Sequence, residues 1–107
     1  MATGNILAEG NLDKVKIITV SVNLPSIAAA TTGQATVTVP GVQVGDFVAL
    51  SAPVSIFNQG VGIVDCYVSA ADTVIVRGMN ATAGAIDVPA ITCLLFVARP
   101  DATLNAF

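Results

Sequence analysis

Short runs rich in Val, Ile and Thr, cut off roughly every 8–14 residues by clusters of Gly, Pro, Asn and Asp, constrain this chain more than any other feature. β-branched side chains fit a pleated surface better than a helical one. The pattern predicts an all-β fold: an antiparallel β-sandwich or a jelly-roll-like barrel of about six or more strands. With 107 residues the chain makes one domain with a core of ordinary size. The domain is expected over residues 15–99, between an amino-terminal arm at 1–14 and a carboxy-terminal tail at 100–107.

Six strands are legible. The first, 15–23, alternates with Ile18, Val20 and Val22 on one face and Thr19, Ser21 and Asn23 on the other. The second, 34–39, sets Ala35, Val37 and Val39 against Thr36 and Thr38, and both strands read as wet on one side. Pro40-Gly41 ends the second strand, because proline gives the ladder no donor and glycine takes the positive φ of a tight turn. The third, 46–51, is apolar on both faces, with Phe47 and Ala49 opposed to Val48 and Leu50. So is the last, 91–99, with Cys93, Leu95 and Val97 opposed to Leu94, Phe96 and Ala98.

Strands 60–69 and 73–80 form a hairpin whose apolar pattern selects the register. A three-residue loop, Ala70-Ala71-Asp72, pairs Ser69 with Thr73, Cys66 with Val76 and Asp65 with Arg77, and places Asp72 in the left-handed conformation that Asp tolerates. An exposed Asp65–Arg77 ion pair follows.

A sheet buried on one side does not need two apolar faces. The chain is 54% hydrophobic and 10% charged, against about 25% charged in an average domain. Too little charge is present to clothe the outside of the fold, which predicts that part of it is covered by a neighbouring subunit, the alternative being a loop or the amino-terminal arm of the same chain. The residues expected to carry that contact are Phe47, Ile75, Met79, Leu94, Phe96 and Phe107. Ile6, Leu7 and Leu12 in one arm, and Leu104 and Phe107 in the other, leave docking onto a neighbour and simple disorder both open.

The same composition argues against catalysis. Histidine is absent, and Cys66 and Cys93 lie in apolar stretches, where a small buried hydrophobe is the ordinary role. The carboxylates sit in turns, in the arm or beside Arg77, with no pairing that suggests a glycosidase and no spacing for calcium. No enzyme activity, cofactor or metal is expected.

The four cations, Lys14, Lys16, Arg77 and Arg99, are scattered along a chain of net charge −3, which predicts no nucleic-acid partner. The apolar runs are far shorter than the about 20 residues of a spanning helix, and residues 1–10 lack the cationic start of a secretory signal, so no membrane partner is expected. Asn80-Ala81-Thr82 matches the glycosylation triplet, a match frequent by chance.

From Ile18 to Arg99 the chain resembles small all-β structural domains of tailed bacteriophages. The likeness lies in an order of phrases. Ser26-Ile27-Ala28 leads to the Thr-rich 31–39, followed by Val39-Pro40-Gly41-Val42-Gln43-Val44-Gly45-Asp46. Then come Val68-Ser69-Ala70-Ala71-Asp72-Thr73-Val74, Asn80-Ala81-Thr82-Ala83-Gly84-Ala85-Ile86-Asp87, and an apolar strand closing on Arg99. The resemblance implies a virion module without catalytic residues. Because the chain has no shaft, repeat or receptor-binding extension, it implies a free-standing capsid decoration (cement) subunit. Such a subunit is made in the host cytoplasm, assembles as a dimer or trimer, and bridges major capsid proteins on the virion surface. A neck, tail or fibre component is the alternative within the virion, and an adhesin or carbohydrate-binding module the alternative of another class. An aromatic platform around Tyr67 would favour the last.

Overall fold

A computed structural model describes residues 12–100. Six strands and one helical turn follow in order: β1 (Leu12–Val22), β2 (Thr32–Thr38), β3 (Phe47–Ser51), α1 (Val54–Asn58), β4 (Val61–Ala70), β5 (Thr73–Asn80) and β6 (Ile91–Pro100). They form two antiparallel three-stranded sheets, ordered β1-β6-β3 and β2-β5-β4. The all-β expectation resolves to a sandwich, with no closed barrel and no jelly-roll order. β1 takes in Leu12, Asp13 and Lys14, expected in the arm, and β6 takes in Pro100, expected in the tail. Phe107 and the remaining arm residues lie outside the described residues.

Period-two alternation builds the core. The inner face of the first sheet carries Ile18, Val20 and Val22 from β1, Cys93, Leu95 and Val97 from β6, and Val48 and Leu50 from β3. The second sheet answers with Ala35 and Val37 from β2, Val74 and Val76 from β5, and Val61, Cys66 and Val68 from β4. Each fully buried Val, Leu or Ile contributes about 1.5–3 kcal/mol relative to exposure.

Two glycines open a slot in this layer. Gly33 pairs with Gly78 across β2 and β5, and the space left by their missing side chains admits Ile27 and Leu24 from the β1–β2 connection. A Cβ at Gly78 would lie 2.9 Å from Leu24 Cδ1, and one at Gly33 2.9 Å from Ile27 Cγ1. Close approach, rather than backbone conformation, is what requires glycine here.

The β4–β5 hairpin keeps the expected register in its body, with Asp65 opposite Arg77 and Cys66 opposite Val76. Its turn differs. Ala70, not Ser69, pairs with Thr73, and the extra residue is absorbed as a register shift within β4 rather than in the loop. Asp72 has φ 62°, as expected of a left-handed Asp. Its backbone N–H donates to Val42 O at 2.9 Å, its carbonyl accepts from Val39 N at 2.8 Å, and its Oδ1 accepts from Gly41 N at 2.7 Å. The hairpin tip thereby holds the Pro40-Gly41 turn, where Gly41 has φ 96°.

Helix α1 has no counterpart among the sequence expectations. It is a single turn entered at Pro53, whose Ile56 is completely buried under the sandwich. One turn is too short to show a 3.6-residue period.

Candidate interaction surface

The outer faces of the two sheets share a geometry and differ in chemistry. On the first sheet, cross-strand rows run Val15–Ala98–Phe47, Ile17–Phe96–Ala49 and Thr19–Leu94–Ser51. Ile17 is 66% exposed, Phe47 68% and Leu94 49%. Ile17, Ala49, Leu94 and Phe96 line a shallow depression on this face. Two of the three rows are wholly apolar.

The second sheet presents Gln34–Arg77–Asp65, Thr36–Ile75–Tyr67 and Thr38–Thr73–Ala70. An ion pair of 3.7 Å joins Arg77 Nη1 to Asp65 Oδ2, both well exposed. Threonines and this pair keep the face compatible with water.

The expected contact residues therefore separate. Phe47, Leu94 and Phe96 come together on the first sheet, whereas Met79 stands exposed on the second. Ile75 corrects the expectation outright. It is 7% exposed between its cross-strand neighbours Thr36 and Tyr67, with Arg77 next along the same face, and offers no surface to a partner. Ile17, Val15 and Ala49 belong to the surface and were not expected. Continuing the Thr19, Ser21, Asn23 series two steps back within the expected strand 15–23 finds the first two, and turns the amino-terminal half of that wet face apolar.

Polar side chains elsewhere are occupied in holding the fold. Asn80, 0% exposed, donates through Nδ2 to Ile27 O (2.9 Å) and Gly84 O (2.8 Å) and accepts at Oδ1 from Thr82 N (2.8 Å) and Thr82 Oγ1 (2.7 Å). It fastens the loop after β5 to the Ile27–Ile86 bridge, and the amide of the glycosylation triplet is committed to these bonds. Arg99 donates from Nε and Nη2 to the two carboxylate oxygens of Asp46, each at 2.9 Å, and from Nη2 to Gly41 O at 2.7 Å. The Arg99 hydrogen bonds hold the Asp46 carboxyl below its ordinary range and raise the guanidinium in turn.

Both cysteines are free thiols. Burial, with a smaller effect from Asp65, pushes Cys66 up to about 11, and burial also raises Cys93. At neutral pH both are protonated and poorly nucleophilic. Among the described residues no cluster of His, Cys, Asp and Glu could hold a metal ion, and no helix is long and apolar enough to cross a membrane. Tyr67 is the one aromatic ring on the outer face of the second sheet among the described residues, too little for a stacking platform.

No family model, curated protein or solved structure matches this chain.

Proposed function

We propose that this chain is a structural subunit that acts by docking, and that its setting is the outer surface of a phage-type capsid, where it bridges neighbouring coat subunits as a decoration protein. The observation that carries the docking reading is the apolar outer face of the β1-β6-β3 sheet. A monomer in water gains nothing from exposing Ile17, Phe47 and Leu94 on one face. The capsid setting rests on the resemblance between Ile18 and Arg99 described above.

Size bears on the mechanism. Three strands about 4.8 Å apart, each contributing about five residues at about 3.4 Å, give a footprint of roughly 250 Å². A stable pairwise interface takes about 800 Å² from each partner. One such face therefore holds weakly by itself, and its use lies in repetition: copies joined to one another as a dimer or trimer multiply a modest affinity on a regular lattice. A cement role needs that behaviour.

Quantitative mass spectrometry of purified virions against the major coat protein tests the reading. A copy number equal to that of the coat protein, or a simple fraction of it, supports decoration. A handful of copies moves the chain to the neck, tail or fibre, and absence overturns the virion setting.

A further inference from the structure

Three of the four cations, dispersed in the sequence, come together in space: Lys14, Lys16 and Arg99 line one cleft of about 120 Å³ at the end of the sandwich where Val39-Pro40-Gly41 leaves the second sheet. Lys14 and Lys16 share the face of β1 that further along becomes core, so the strand runs Lys14, Lys16, Ile18, Val20, Val22 from the open end inwards. The floor of the cleft is apolar, formed by Ile18, Val39, Val42 and Val97.

Among the described residues lining the cleft, three cations face one carboxylate. Lys14 lies directly opposite Arg99 in the β1–β6 register, an arrangement of like charges that destabilises a sheet. Asp46 enters the cleft, but both its oxygens are engaged by the guanidinium of Arg99. Asp13 lies near Arg99 from the opposite face of β1. Among the described residues neither Lys14 nor Lys16 forms an ion pair. Two lysines whose backbone positions lie about 7 Å apart along β1 thus line a small cleft with an apolar floor, on a molecule whose net charge is −3.

We propose that this cleft binds a carboxylate-bearing protein segment, an Asp or Glu side chain seated between Lys14 and Lys16 with an adjoining apolar side chain against Val39 and Val97. A protein carboxylate suits the site better than a nucleic-acid backbone, because two lysines over one cleft provide no track along which successive phosphates could run. The site is separate from the apolar outer face of the same sheet, so the two readings stand or fall independently.

The test is an NMR titration of the full chain with an acetylated, amidated tetrapeptide of two glutamates flanked by leucines, and with its glutamine isostere. The glutamate peptide should shift the amides of Lys14, Lys16, Val39 and Gly41, and the Lys14→Gln/Lys16→Gln variant should bind about tenfold more weakly at unchanged Tm. Equal binding of the glutamine peptide, or undiminished binding to the variant, overturns the proposal. So does displacement of the peptide by inorganic phosphate or a short oligonucleotide at equal concentration.

Discussion

The outer faces of β6 and β5 occupy equivalent places, each on the central strand of a three-stranded sheet, yet Leu94 and Phe96 stand at a surface while Ile75 is closed off. On that side β6 carries Leu94, Phe96 and Ala98 in succession, whereas β5 alternates Thr73, Ile75, Arg77 and Met79. Their neighbours widen the difference. β5 is flanked by strands whose outward residues are Thr36, Gln34, Tyr67 and Asp65, and β6 by strands whose outward residues are Ile17, Val15, Phe47 and Ala49. An apolar residue on a central strand can be sheltered by polar neighbours, whereas an apolar row spanning three strands leaves nothing to shelter it. Contact with another protein, the reading proposed above, would remove such a row from water.

The sharpest way to break the contrast is to place charge on each face in turn. Phe47→Asp combined with Ile17→Asp should reduce oligomer formation or capsid binding by at least about 100-fold, read by sedimentation and by virion binding, with the fold retained by circular dichroism. Thr36→Asp on the opposite sheet should leave assembly unchanged. Equal loss from both would remove the distinction between the faces.

Next in size is a change at the buried end of the polar sheet. Asn80→Ala leaves Thr82 N without its acceptor and takes one of two donors from each of Ile27 O and Gly84 O, and should lower stability by about 1–3 kcal/mol in urea unfolding. A loss below about 0.5 kcal/mol would mean that the loop after β5 is held by other means.

A pH series addresses the link between the two sheets through Asp46, Arg99 and Gly41. Because the folded-state pKa of Asp46 is lowered from 3.8, its contribution is fully present above the unfolded value and is lost as pH falls through the lower, folded one. Asp46→Asn should accordingly be less stable than the parent at pH 6, and the gap should narrow below about pH 4. An unchanging gap down to pH 2 would show that the carboxylate charge is not what holds the turn. The smallest effect belongs to the outer face of the second sheet. Asp65→Asn should cost no more than about 0.5 kcal/mol and less at high salt, because both partners are exposed.

Much of this architecture is legible residue by residue. The Val-rich alternation of β5 and β6 marks their core faces, and the body of the β4–β5 register follows from placing Cys66 opposite Val76. The position of Ser69 was not legible, because an extra residue can sit in the loop or in the strand without altering the apolar pattern. The candidate surface was half legible: Phe47, Leu94 and Phe96 were marked by two-faced apolar strands, whereas Ile17 lay in a strand that read as wet, and Ile75 and Met79, which lie on the other sheet, carried the same local signal.

The sequence by itself determined that six strands are present, about where each lies, and that one side chain in two faces the core, because these depend on side-chain alternation and turn chemistry within a few residues. Beyond the β4–β5 hairpin, only the tertiary structure decided which strands lie side by side. Backbone hydrogen bonds that join strands are alike for every residue, so sheet order leaves almost no trace in a single chain. That order brings Val15, Ile17, Phe47, Ala49, Leu94 and Phe96 onto one face, and gathers Lys14, Lys16 and Arg99 around one cleft.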